Sequence, residues 1–347
     1  VILMSNNILF QRGVDAEGTV IEVVGTPFYK PNNTGFADSV SVVQSAGLHR
    51  APTYMFAIAR ATAEKSDPVW SQWHDTNAEV DTMLDKEGIL GTAGELYVVD
   101  FQNGGMFVND HSRVRSAVTE SKLRNGAMPL GEEEVKEFLT YVKEGDASAL
   151  RQKGWLQGQE GANYIFKSGG EFTDASAAED FLRNTPGYVV LTPADAARAE
   201  PTGYQALSEQ EHNLRLQIRS GGKKALKGML DQARFLGWNK FGSRTDGYNN
   251  VNSGRAVVLY SDNLGVGGYS HIDDDGRSVG VAPEALLARA KIVGPVPPLE
   301  ETVAEAQVSF DVRMVPEEDV RRLLAEHLGY SSERVDQHLG ILLGYGK

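Results

Sequence analysis

ELYVVDFQNGGMFVND, residues 95–110, is the stretch on which the fold class turns. Two β-rich runs, 95–102 and 106–109, flank Asn103-Gly104-Gly105, a sequence suited to closing an antiparallel hairpin. A helix follows over 132–143. Glu132, Glu133 and Glu134 crowd its first turn, Val135, Phe138, Leu139 and Val142 form its apolar stripe, and Gly145 stops it. Strands and helices are interspersed along the chain without a regular strand–helix–strand rhythm, so the expected class is α+β.

Outward from that stretch, residues 8–11, 19–24 and 39–44 read as strands, and the Asn/Gly-containing 27–35 as a loop. Residues 52–65 read as a helix because Met55, Ala59 and Thr62 keep helical spacing. Asp67-Pro68 reads as a cap and first position of another helix, with Val69, Trp73, Val80 and Leu84 carrying it to 86. Strands are expected at 163–167, 187–191 and 255–260, and helices at 175–183, 193–199, 209–218, 223–236 and 283–293. A second hairpin, 268–272 with 277–281, is expected to turn at Asp273–Gly276. Three prolines in 294–299 mark a linker, followed by a strand at 307–315 and a helical pair, 316–328 and 332–343. The expected organisation is an N-terminal α+β lobe (1–203), a basic-helix and Gly/Asn-rich β region (204–293) and a C-terminal strand with two helices (294–347), or one continuous domain.

The 347 residues are 41% hydrophobic and 23% charged, the balance of a globular chain able to bury a large core. No run approaches the ~20 apolar residues of a membrane span, and the apolar residues 1–4 are too few for a signal-peptide core. A soluble protein is expected, cytoplasmic or particle-associated. The sequence has no cysteine, which excludes disulfides, thiolate metal sites, cysteine nucleophiles and iron–sulfur clusters within it.

Charge is segregated. Residues 213–244 carry Arg215, Arg219, Lys223, Lys224, Lys227, Arg234, Lys240 and Arg244 against Asp231 alone, a net +7 in a chain of net −13. Such an island suggests docking of something negative: the acidic face of a second copy, a phosphorylated ligand or nucleic acid. Leu226, Met229, Leu230 and Ala233 would face the core and turn the lysines outward. Gly221-Gly222 would leave backbone N–H groups for an anion, and Trp238 would supply a ring on which bases stack. A subunit contact or a solvated helix face outranks nucleic acid, because a chain of pI about 5.1 carries no general affinity for polyanions.

Other candidates have simpler explanations. His271 and Asp273–Gly276 resemble part of a calcium loop, but His271 and Ala282 stand where its first carboxylate and last glutamate belong. A hairpin turn without an ion is expected there. The seven histidines form no His-x-x-x-His pair, and Asp110-His111 reads as a helix N-cap. No nucleophile elbow, Walker lysine loop or dinucleotide fingerprint is present, and Trp70 and Trp73 read as core.

Two segments resemble known families. Gly187–Glu200, GYVVLTPADAARAE, is similar to a segment of tailed-phage capsid proteins. Trp238-Asn239, the run NSGRA at 252–256 and RSVGV at 277–281 resemble pieces of C-type-lectin-like variable domains. Each resemblance covers less than a sixth of the chain, and about 65 residues follow the second where such domains end. Neither assigns a family. The expected function is a non-catalytic structural or assembly protein that self-associates, of the virion or capsid-shell kind, without cofactor. The alternatives are a binding module for an anionic partner, and a hydrolase or sugar-active enzyme whose acids meet only on folding.

Overall fold

The computed structural model describes residues 8–14, 20–26, 35–45, 48–61, 63–157, 163–167, 187–199, 203–244, 251–260, 265–268, 272 and 278–281. All belong to the first of the two units into which the chain divides, Val1–Val293. The fold is α+β. Its N-terminal part contains β1 (Ile8–Val14), β2 (Val20–Thr26), α1 (Gly35–Ser45), β3 (His49–Arg50), α2 (Thr53–Arg60) and the single turn α3 (Pro68–Ser71). Next come β4 (His74–Asp85), β5 (Glu95–Gln102), α4 (His111–Thr119), β6 (Met128–Pro129), α5 (Glu132–Glu144), α6 (Ala147–Gln152) and β7 (Asn163–Lys167). Then follow β8 (Gly187–Pro193), α7 (Ala194–Ala199), β9 (Gly203–Ala206), α8 (Leu207–Gln210), α9 (Leu214–Ser220) and α10 (Lys223–Phe235). The last described strands are β10 (Lys240–Arg244), β11 (Ser253–Tyr260), β12 (Gly265–Gly267) and β13 (Ser278–Val281).

Nine strands form one mixed sheet in the order β7-β8-β5-β4-β11-β12-β10-β9, with β6 beside β11. Its centre is the antiparallel hairpin β4–β5, registered from Ala78 opposite Gln102 to Asp85 opposite Glu95. The Asp85 carboxylate closes the connection by accepting from the Ile89 and Leu90 N–H groups at 2.8 and 2.7 Å. A second, smaller sheet runs β1-β2-β13-β3.

Both faces of the large sheet are covered. On one, Ala78, Val80, Val98, Val257, Leu259 and Val266 pack under Phe56 and Ala57 of α2, Leu216 of α9 and Leu226, Met229, Leu230 and Ala233 of α10. On the other, Met83, Val99, Phe101, Val189, Leu191 and Ala256 pack under Phe36 and Val40 of α1, Val114 of α4 and Phe138, Leu139 and Val142 of α5. Each of the valine, leucine, methionine and phenylalanine side chains among them, fully buried, contributes about 1.5–3 kcal/mol. Helix α5 follows its sequence signals, and Gly145 ends it with φ at 70°.

Several expectations change. Residues 39–44 are helix, not strand, because Phe36, Ala37, Val40 and Val43 make one buried stripe at helical spacing. The helix expected to continue to 86 stops after one turn at Ser71, and His74–Asp85 is the sheet's central strand. Residues 106–109 form a turn in which the N–H groups of Met106, Phe107 and Val108 go to a side chain, and β5 pairs with β4 and β8. Residues 278–281 pair with β2 and β3 in the smaller sheet, and 269–271 of the expected partner run 268–272 lie outside the described residues. The boundary placed at 203/204 falls inside β9, and strands from both sides of it share the large sheet. The expected helices at 175–183 and 283–293, the turn Asp273–Gly276 and all elements beyond 294 lie outside the described residues.

Candidate functional site

The basic island is split by the fold. Arg215 and Arg219 stand four apart on α9, so they share the face that packs on β5. Both are buried, and both reach the equally buried Asp100 in the middle of β5. Arg219 Nε donates to Asp100 Oδ1 at 3.0 Å, and Arg215 forms an ion pair with Oδ2. These two arginines are interior fasteners and do not belong to a docking surface. The signal for them was Asp100 itself, a carboxylate inside the apolar run Val98-Val99-Asp100-Phe101, which burial obliges to find cations.

Helix α10 carries what remains outside. Opposite its buried face, Lys223, Lys224, Lys227, Asp231, Arg234 and Phe235 share the outward arc. Phe235 is 82% exposed. Asp231 accepts from Lys227 and, at 2.7 Å, from Arg234, which also reaches Glu211 at 3.3 Å. Lys240 is exposed at the start of β10, and Arg244 ends that strand opposite Gly267. The Gly221 and Gly222 N–H groups donate to Ile218 and Gln217 C=O at 3.3 and 2.8 Å, so they close α9 rather than cradle an anion. Trp238 is half-buried: Trp70 packs against it at 5.0 Å between centroids, and Lys65 Nζ lies 4.9 Å from its ring centre. A base stacking on that ring would have to displace Lys65.

Composition did not reveal a second charged centre, on the opposite face of the sheet. Glu79 and Asp81, two apart on β4, are wholly buried on the side covered by α4 and α5. Glu79 accepts three backbone N–H groups, from Met106 at 2.8 Å, Phe107 at 3.1 Å and Val108 at 2.9 Å. The same turn is held through its carbonyls: Arg113 Nη1 donates to Met106 C=O at 3.1 Å, and Arg50 Nη1 to Val108 C=O at 2.9 Å. Arg113 also grips both oxygens of Glu134 on α5, at 2.6 and 2.8 Å. Gly105 and Gly254 are required here, since a Cβ on either would collide with the Glu79 or Asp81 carboxyl.

Burial pushes the Glu79 carboxyl up to about 7, against the pull of neighbouring Asp81 and of the three N–H groups. Burial and the adjacent Glu79 charge raise Asp81 well above the ordinary carboxyl range. Burial lowers Arg50 to about 10, partly offset by Asp75 and Glu79, so it stays cationic at neutral pH. Carboxyls shifted this way in an open cleft would suggest acid–base chemistry. Here they are closed in and committed to the backbone of one turn. Among the described residues no group of three or more metal-ligating side chains has the geometry to hold an ion.

No known family matches the chain, and no curated protein does. A solved structure described as a C-type lectin fold that accommodates massive sequence variation in Nanoarchaeota is similar over 75% of this chain and 98% of that one, at 16% identity and a TM-score of 0.49. A likeness at that level carries no argument about function.

Proposed function

We propose that the protein is a non-catalytic structural or assembly protein that self-associates, as a component of a shell or particle would, through the outward arc of α10. The observation that carries this reading is the company kept by Phe235. A large apolar side chain 82% exposed shares a helix face with Lys223, Lys224, Lys227 and Arg234, on a chain whose net charge is −13. An exposed aromatic at the end of a helix arc that also carries four cations, on an otherwise acidic molecule, suits an acidic protein surface, and a second copy of this chain presents one. Supporting it, the buried carboxylates Glu79, Asp85 and Asp100 each serve backbone turns or arginines inside the fold.

Mass in solution tests the reading. At modest salt the native particle should exceed the 37.7 kDa monomer. It should dissociate as salt rises, because screening confines exposed charge pairs to about 8–10 Å near physiological ionic strength. Joint reversal of Lys223, Lys224 and Lys227 to Glu should yield a folded monomer, each surface change costing less than about 0.5 kcal/mol. A wild-type monomer at high concentration and low salt defeats the proposal. Nucleic acid is the competing anion: single-strand binding at or below about 10⁻⁶ M at physiological salt, lost in Trp238→Ala, would put it first.

A further inference from the structure

We propose that Asp81 is held as the neutral carboxylic acid and donates its proton to Glu79, so that the two carboxyls carry one negative charge between them and this proton keeps the turn at residues 105–109 closed. The assignment follows from donors and acceptors. Glu79 already receives three backbone N–H groups, which can only donate and therefore favour its ionised form. Neither oxygen of Asp81 meets an N–H or O–H among the described residues, although the side chain is fully buried. Glu79, two positions earlier on the same face of β4 and equally buried, is its neighbour on the strand. Two carboxyls placed together in a core, both able only to accept when ionised, are compatible only if one keeps its proton.

The surrounding charges agree. Arg50 from β3 and Arg113 from α4 are the cations facing the pair, with Asp75 and Glu79 of β4 and Glu134 of α5 set against them. Arg113 spends both Nη atoms on Glu134, and Arg50 serves Val108 C=O and the Ser278 hydroxyl. A second ionised carboxylate on β4 would therefore be a buried charge without its own partner, which proteins avoid by keeping the group neutral. The space is also cut for this arrangement, since Gly254 opposite Asp81 leaves its Oδ1 the room a Cβ would fill.

Function follows through α4. The turn precedes this helix, and Arg113 ties the helix to both the turn and α5, so the proton secures one edge of the covering layer. The unfolded chain loses the proton near pH 4, as ordinary carboxyls do, whereas the folded chain keeps it. The Asp81 contribution is therefore full below about pH 4 and is lost as pH rises through its folded value; Glu79, raised to about 7, is itself ionised only above that pH, so the singly charged clasp is held between about pH 7 and the folded value of Asp81.

The test is a carboxyl ¹³C titration of the full chain, paired with unfolding of wild type and Asp81→Asn across pH. Asp81 should show no ionisation near pH 4. The amide of Asp81→Asn still donates to Glu79 but cannot titrate, so above pH 4 the wild type should lose up to tenfold in folding constant per pH unit relative to the variant. Ionisation of Asp81 near pH 4, or identical pH slopes for the two proteins, overturns the proposal. Should Asp81→Asn fail to fold, the wild-type titration alone decides.

Discussion

The two faces of the large sheet bury charge in opposite proportions. Under α9 one carboxylate, Asp100, sits between two arginines; under α4 and α5 two carboxyls, Glu79 and Asp81, sit side by side. The first arrangement joins a helix to a strand, side chain to side chain. The second joins a strand to a backbone turn, with arginines on the far side of that turn. Where cations are in excess, the lone acid is indispensable, because removing it strands two guanidiniums. Where acids are in excess, the site absorbs the surplus by protonation. Buried ionic groups therefore cost different amounts to disturb according to which sign is short.

That contrast predicts its own largest effect. Asp100→Ala should destabilise by about 3–5 kcal/mol, the penalty for leaving a buried charge uncompensated, and Asp100→Asn should recover little of it. Denaturant unfolding measures both. The replacement of Arg215, Arg219 and Asp100 together by apolar residues of similar volume should be far milder than Asp100→Ala alone. A triple variant as unstable as the single one would show that packing around α9, and not charge, sets the cost.

The sequence made one half of this legible and hid the other. Helix α5 could be read directly, since its acids, stripe and terminal glycine agree with one another and its outer face is solvent. Strand β4 could not: it is buried on both faces, so polar Asn77, Glu79 and Asp81 occupy positions where alternation would show apolar residues. Val69, Trp73, Val80 and Leu84 then imitate a helical stripe. A period of two was nonetheless present in Thr76, Ala78, Val80 and Thr82, two of them β-branched threonines. The valine-rich α1 misled in the reverse direction, because tertiary packing of Phe36, Val40 and Val43 overrode β propensity. At the candidate site the exposure of Lys223, Lys224 and Lys227 followed from the apolar stripe of α10. The burial of Arg215 and Arg219 depended on Asp100, more than a hundred residues away, and no local pattern reports a partner so distant.

The carboxyl-rich face predicts a smaller effect. Gly254→Ala should cost about 1–3 kcal/mol, the usual penalty for forcing a methyl into a packed core, because the new Cβ meets Asp81 Oδ1 and lies 2.7 Å from Phe107 Cε1. Asp81→Ala in the same chain should relieve part of it. Strict additivity of the two substitutions in thermal or denaturant unfolding would mean that the strain lies against Phe107 instead.

The smallest expected effect lies outside the core and calibrates the other two. Lys227 and Asp231 form an ion pair one helical turn apart on the outward arc of α10, with the lysine side chain 57% exposed. Water screens that pair, and the lysine stands N-terminal to the acid, the less favourable order on a helix. A double-mutant cycle with Lys227→Ala and Asp231→Ala should return a coupling of about 0.3–0.5 kcal/mol at low salt, shrinking further as salt is added. The Asp100 cluster should respond far less to salt, because burial shields it from mobile ions. A surface coupling as large as the Asp100 effect, or equal salt sensitivity in both places, would break the distinction between cations that fasten the fold and cations presented to a partner.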